Sequence, residues 1–320
     1  MKMIKTIGVI LAVVFAVALV TIFGLVINHN QQLKREAKNY PPPGNVVEVN
    51  NKKMHVYTEG EGNHTLVFLA GHGTSNPTLD FKPIWMRMKD EYRIAVVEKS
   101  GYGWSDVSSS SRDIDTTLEE TRKALELSGE KAPYVLFPHS MSGLEAIYWA
   151  QKYPDEVSAI IGIDSCTPES IAVLPKAQKV QLYSMYLVSR MGLSRFMPVA
   201  DVEENFSLMR SNDLTGDDKA QYMAMFFKSS VTKDMIREVQ LLKENAQTVK
   251  NKETPFEIPM YFFISSEQES LASGWEESLI GYLSGVNIGK YQKLETSHYV
   301  HHEKAELIAL ESKKFLEHVK

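Results

Sequence analysis

Short, almost wholly apolar runs alternate with stretches of helical periodicity along most of the chain. The runs cover residues 65–70 (TLVFLA), 93–97 (RIAVV), 134–137 (YVLF), 157–163 (VSAIIGI), 260–264 (MYFFI) and, more weakly, 289–294. A strand covered on one face alternates apolar with polar residues. A strand that is apolar throughout needs cover on both faces. Helical patterns at 118–127, 143–152 and 304–319 supply that cover. The pattern predicts an α/β fold with a mostly parallel central sheet and helices on both faces. Residues 46–49 and 53–57, separated by Asn50-Asn51, predict a hairpin at its start.

The alternation stops between Pro168 and Thr254. That stretch is rich in Leu, Met, Tyr, Phe, Lys and Glu and holds no strand-like run. It is expected to be a helical insertion between two sheet strands. Such an insertion sits over the carboxyl ends of the strands, where ligands bind, and is expected to act as a lid. The organisation expected is an anchor at 1–28, a linker at 29–44 and a globular domain at 45–320 with its insertion at 168–254. Pro41-Pro42-Pro43-Gly44 forms a stiff spacer ending in a turn.

The anchor rests on Thr6 to Ile27, 22 residues without a charge. As a helix they would cross about 30 Å of hydrocarbon. The run is longer than the apolar core of a cleaved signal peptide, and Asn28-His29-Asn30-Gln31 follows it rather than a small-x-small site. An uncleaved, single-pass signal anchor is expected. Lys2 and Lys5 flank one side; Lys34, Arg35 and Lys38 flank the other. Weighing the flank nearest the membrane places the N-terminus inside and the globular domain outside the cytoplasm.

Composition narrows the function. The chain carries 35 Lys+Arg against 40 Asp+Glu, a net charge of −5. That argues against a nucleic-acid partner, which needs a basic face. The single cysteine, Cys166, excludes an internal disulfide framework and any Cys-rich metal site. Asn63 and Asn205 lie in glycosylation sequons, which matter only in a secretory eukaryotic setting.

The sharpest chemical signal is Pro138-His139-Ser140-Met141-Ser142-Gly143, between a strand and a helix. A serine on such a turn is a nucleophile when small neighbours let the backbone fold sharply beneath it. Pro138 and Ser142 stand where the strict pattern has glycines. A second loop, Ala70-Gly71-His72-Gly73-Thr74, follows an earlier strand. The backbone N–H groups of Thr74 and Met141 are the expected oxyanion donors. His298, after the last strand, is the expected base; His301 and His302 fall towards the final helix and are expected on the surface. The acid has three candidates. Glu269 is the first choice and Glu267 the second, both just past the 260–264 strand. Asp164, one strand earlier, is the third, with a strand-end cap as its ordinary role. A metal site of His298, His301 and His302 is disfavoured because no His-Glu-x-x-His pattern accompanies it. No cofactor is expected.

From Asn45 to Lys320 the chain resembles the α/β-hydrolases. It is similar to their lidded esterase, prolyl-aminopeptidase and haloalkane-dehalogenase-like branch. The resemblance rests on Gly71-His72-Gly73, on Glu98-Lys-Ser-Gly101-Tyr-Gly103-Trp-Ser105, on His139-Ser140-Met141-Ser142-Gly143 and on Ser297-His298. It implies Ser140 as nucleophile, His298 as base, and an acid after the sixth or seventh sheet strand. Aspartate is usual where Glu269 stands. Ser140 departs from the dehalogenases and epoxide hydrolases, which use aspartate as nucleophile. The Gly-Gly-Pro-Gly loop of the prolyl aminopeptidases is replaced by His72-Gly73-Thr74-Ser75-Asn76-Pro77.

These readings predict a serine hydrolase that cleaves an acyl bond, foremost a carboxylic ester, through a covalent acyl-enzyme. Amide, peptide and thioester cleavage are the nearer alternatives. A catalytically silent fold serving as a ligand receptor is the more distant one. Leu182, Met185, Leu187, Met191, Phe196 and Phe226 give the insertion an adaptable apolar character. They favour a small-molecule or lipid-like ester as substrate.

Overall fold

The computed structural model describes residues 2–175 and 178–319. Met1, Lys320 and residues 176 and 177 of the expected insertion lie outside the described residues. Eight strands form one sheet: β1 (Asn45–Val49), β2 (Lys52–Glu59), β3 (Thr65–Leu69), β4 (Arg93–Glu98), β5 (Tyr134–Pro138), β6 (Val157–Ile163), β7 (Met260–Ser265) and β8 (Gly289–Leu294). Their spatial order is β1-β2-β4-β3-β5-β6-β7-β8. Only β2 runs against its neighbours; from β4 to β8 every pairing is parallel. Asn50 and Asn51 both adopt positive φ, as a two-residue hairpin turn requires.

The helices are α1 (Lys2–Asn39), α2 (Pro77–Asp80), α3 (Lys82–Trp85), α4 (Ile114–Leu127), α5 (Ser142–Lys152), α6 (Lys179–Arg190), α7 (Val199–Asn205), α8 (Gly216–Ser229), α9 (Lys233–Lys250), α10 (Ser266–Leu271), α11 (Trp275–Leu283), α12 (Val300–Glu303) and α13 (Ala305–Leu316).

The continuous apolar strands divide by the pleat. On one face Val67, Leu69, Leu136, Ile160 and Phe262 pack with Leu118, Ile147, Trp149 and Trp275 of α4, α5 and α11. On the other Phe68, Val96, Phe137, Ile161 and Phe263 pack with Phe81, Trp85, Ile308 and Phe315 from the α2–α3 and α13 side. Each alternate residue thus finds its own core. Truncating one, such as Phe137, would cost about 3–5 kcal/mol. The edge strand β8 is polar and largely exposed, with Lys290 and Lys293 guarding it from further pairing.

Between β6 and β7 the chain forms α6 to α9, as the loss of alternation predicts. The far end of α9 does not belong to a separate cap, however. Ala246 and Val249 lie in the main core beside α5. The N-terminal helix also differs from a 28-residue element, because it continues through the polar stretch to Asn39. Its residues 3–39 include one window long and apolar enough to cross a membrane, and that window is wholly unburied.

Consecutive strands extend one way from β3 to β4 and the other way from β5 onward. The crevice at the carboxyl ends of β3 and β5 is therefore the switch point where open α/β sheets bind ligands.

Candidate active site

Ser140 stands at that crevice, on the turn from β5 to α5. Its φ is 52°, in the left-handed region that a serine adopts at a cost of about 1–3 kcal/mol. Hydrogen bonds on both sides hold it there. His139 N–H donates to Leu69 O (3.0 Å), Cys166 N–H to Ser140 O (2.8 Å) and Gly143 N–H to Ser140 O (3.0 Å). Two glycines make room. A Cβ on Gly71 would lie 2.8 Å from the Ser140 Cβ, and one on Gly143 would lie 2.1 Å from Cys166 O. Any side chain at either position would push the turn apart. Ser142 does not interfere with the turn. It is buried, donates to Ala70 O and accepts from Lys99 Nζ (3.1 Å), tying the start of α5 to the loops after β3 and β4.

His298 lies in the loop between β8 and α12, and its side chain is 20% exposed. Its Nδ1 is 2.6 Å from Asp164 Oδ2. Asp164 follows β6 directly, is fully buried, and has a φ of 43°. Its carboxylate is saturated: it also accepts from Ser265 N–H (3.0 Å), Ser265 Oγ–H (2.5 Å) and Trp275 Nε1–H (3.0 Å). A buried carboxylate with that many donors is fixed in direction.

The glutamates expected beside His298 are used elsewhere. Glu269 accepts from the backbone N–H groups of Gly274 (3.0 Å) and Glu276 (2.8 Å). These bonds hold its carboxyl below the usual range. It caps the first turn of α11 and makes no bond to His298 among the described residues. Among the described residues Glu267 reaches His298 only through the backbone, accepting from its N–H (2.7 Å). The reason is geometric. Residues past β7 start α10 at once, with Ser265 as its cap, and carry both glutamates outward. Asp164 stops at the strand end, where the sheet itself aims it at the crevice.

His301 and His302 are also not where the sequence suggests. Both are held on Asp80, at the end of α2. His301 Nε2 lies 2.9 Å from Asp80 Oδ2, and His302 Nε2 lies 3.1 Å from Asp80 Oδ1. His302 Nδ1 meets Ser207 Oγ of the helical insertion at 2.7 Å. Burial, reinforced by His302, lowers His301 to a pKa of about 4, so the ring is neutral near pH 7. Burial alone would raise Asp80, but its two histidines outweigh that and hold it well below the usual range. His139 completes the group. Its ring packs 4.8 Å from that of His298 and 4.6 Å from that of His301, and its Nε2 lies 3.3 Å from His298 O. Burial, with His301 and His298 beside it, holds His139 well below the ordinary range. Asp80, His139 and His301 bring ligand-type atoms within 4.8 Å of one another. Asp80 is already engaged by two rings, so the expectation of no metal site is left as it stood.

Over the crevice lies a cleft of about 610 Å³. His72, Gly73 and Tyr299 line its floor; Leu182, Met185 and Met235 of α6 and α9 line its roof. Burial holds the His72 ring below the ordinary range. The N–H groups of Met141, His72 and Thr74 donate to no backbone carbonyl among the described residues.

A sheet of this order, a serine on the β5–α5 turn and a histidine loop after β8 define a hydrolase of the α/β type, and this chain belongs to the α/β-hydrolase fold family. The family's sequence pattern, alpha/beta hydrolase fold, matches residues 72–191. The chain is 40% identical over 261 residues to the uncharacterized protein YbdG of Bacillus subtilis (strain 168), covering 81% of this chain and 79% of that one. It is 34% identical over 108 residues to a pimeloyl-[acyl-carrier protein] methyl ester esterase of Aliivibrio salmonicida, covering 34% of this chain and 38% of the esterase. Among solved structures it superposes on the epoxide hydrolase of Bacillus megaterium with a TM-score of 0.64 at 17% identity, covering 85% of this chain and 100% of the other.

Proposed function

We propose that the protein is a serine hydrolase cleaving a carboxylic ester, with Ser140 as nucleophile, His298 as base and Asp164 as the acid. The observation that carries this reading is the 2.6 Å contact between His298 Nδ1 and the saturated, buried Asp164 carboxylate. It fixes the tautomer with the proton on Nδ1, which leaves Nε2 free to take the Ser140 proton. Ser140 Oγ then attacks the ester carbonyl, and the resulting oxyanion needs two N–H donors. Met141, at the first turn of α5, is one. Gly71, rather than Gly73, lies against Ser140, which supports His72 N–H as the second donor ahead of Thr74. Each such donor is worth about 3 kcal/mol in the transition state. His298 passes its proton to the leaving alcohol. Water, deprotonated by the same ring, then releases the acid and restores Ser140.

Ester cleavage is favoured over epoxide opening because the turn carries serine, and the Aliivibrio relative is an esterase. The helical insertion acts as the lid of the cleft, and α1 as a single membrane anchor that leaves the catalytic domain outside the cytoplasm.

The test is a fluorophosphonate probe applied to the full chain in detergent, beside Ser140→Ala and His298→Ala. Labelling of the wild type that both variants lose is the expected result. A folded wild type that takes no label would refute the hydrolase reading and favour a binding module on the same fold.

A further inference from the structure

The helical insertion is built on the membrane anchor, and its outer surface is apolar. Arg195 is the fastening. Its Nη1 and Nη2 donate to the two Glu36 carboxylate oxygens at 2.6 and 2.8 Å, and its Nε to His29 Nδ1 at 3.0 Å. A bidentate pair of this kind fixes direction as well as distance. Gly192, three residues earlier, lies so close that a Cβ there would sit 2.6 Å from the Cβ of His29. His29 comes two residues after Ile27, the end of the apolar run. At the rise of an α-helix that is about 3 Å along the axis. The turn at Leu193–Phe196 is therefore held at the level where the hydrocarbon of a bilayer would meet its headgroups.

The residues at that level are the wrong kind for water. Phe196 is 67% exposed, and Val180 and Leu187 of α6 are 78% and 56% exposed. Val180, Tyr183 and Leu187 share one stripe of α6, while Leu182, Met185 and Ser189 lie on the opposite side, towards the cleft. A surface helix normally opposes its apolar face with a charged one. In α6 the only charges are Lys179 and Arg190, at its two ends. The helix is apolar both towards the cleft and away from it.

We infer that the outer face of α6 and the Leu193–Phe196 turn rest in the surface of the bilayer that holds α1, so that the cleft takes lipid acyl esters from the membrane. The inference rests on the reading of α1 as an anchor and of the site as an esterase. It deepens the second by naming the source of the substrate. A lipid entering beside α6 would exchange the bilayer for the apolar roof of the cleft without crossing water. Lys179 and Arg190 would lie among the headgroup phosphates, as amphipathic membrane-surface helices place their cations.

The test uses the full chain in phosphatidylcholine–phosphatidylglycerol nanodiscs. An environment-sensitive fluorophore is attached through Leu187→Cys, Phe196→Cys, Lys123→Cys or Lys314→Cys, one at a time; Cys166 is buried and stays unlabelled. Lys123 and Lys314 are exposed on α4 and α13, which cover opposite faces of the sheet. Nitroxide-bearing lipids are expected to quench the probes at 187 and 196 and to spare those at 123 and 314. Equal quenching at all four, or none at 187 and 196, overturns the inference. A second arm compares wild type with Leu187→Asp/Phe196→Asp, neither of which lines the cleft. Hydrolysis of a long-chain umbelliferyl ester dissolved in the nanodisc is expected to fall at least tenfold, with the acetate ester in water changed less than twofold. Equal effects on both esters, or none on either, count against it. If wild type cleaves neither ester and takes no fluorophosphonate, the esterase reading fails while the quenching pattern still decides whether the lid meets the membrane.

Discussion

Asp164 and Asp80 both hold histidines of the loop between β8 and α13, and both do so from the carboxyl side of the sheet. Asp164 grips a single ring, His298, whose Nε2 makes no hydrogen bond among the described residues and whose side chain keeps some exposure. Asp80 grips two rings, His301 and His302, and is buried with them. One aspartate leaves its histidine a free nitrogen beside a cleft. The other binds its histidines in a closed knot that joins α2, α12 and, through Ser207, the helical insertion; His302 uses both ring nitrogens there, while His301 Nδ1 is buried without a partner among the described residues. In the proposed mechanism the same two residue types thus give a proton-transfer pair in one place and a structural tie in the other, according to whether the ring keeps some exposure beside the cleft or is closed in.

That contrast can be broken by substitution. The largest effect is expected from Asp164→Asn, which reverses the tautomer of His298. Turnover of a short ester should fall about 10³–10⁴-fold while the melting temperature moves by only a few degrees. A drop below tenfold would mean that Asp164 is not the acid. Asp80→Asn should do the opposite. It replaces hydrogen bonds to a buried charge by weaker ones, and denaturant unfolding should show a loss of about 3 kcal/mol, with kcat within tenfold of wild type.

The knot should also be visible as a pH dependence of stability. His301 has a folded pKa of about 4 against an ordinary 6.5, so the unfolded chain binds the extra proton first. Stability is then full above pH 6.5 and falls as the pH drops towards 4, by about 3 kcal/mol at most from this ring. Asp80, held low in the folded state, adds its own loss only below its unfolded pKa of about 3.8. Urea titrations at pH 7.0, 5.5 and 4.5 would read the slope, and His301→Gln should flatten it; an unchanged slope would place the titration elsewhere. The smallest effect is expected from Glu269→Gln. Its carboxylate serves α11 and not His298, so ester turnover should stay within twofold of wild type.

Much of this was legible in the residues because the signals were local. The apolar runs marked each sheet strand after the hairpin to within one residue, and VSAIIGI matched β6 without adjustment. Ser140 was legible because a strand, a tight turn and a helix are consecutive in sequence. The partner of His298 was not. Asp164 and His298 are 134 residues apart, and their pairing depends on β6 and β7 lying side by side in the sheet and on Trp275 closing the far side of the carboxylate. Nothing in the spacing separates Asp164 from Glu269. The one usable signal was that Asp164 follows its strand with no intervening residue, where an acidic side chain has only the crevice to face. His301 and His302 read as surface residues for the same reason, since the aspartate that buries them lies 221 residues away.

The left-handed backbone at Ser140 has a consequence for how this chain can change. Glycine would occupy that conformation without penalty, so Ser140→Gly should relax the turn and make the fold firmer by about 1 kcal/mol, while removing the oxygen proposed as nucleophile. On the proposed mechanism, position 140 is thus a place where selection for a sturdier protein and selection for a working one pull in opposite directions. A descendant freed from the proposed catalysis would find its easiest gain in stability at the residue assigned there as nucleophile.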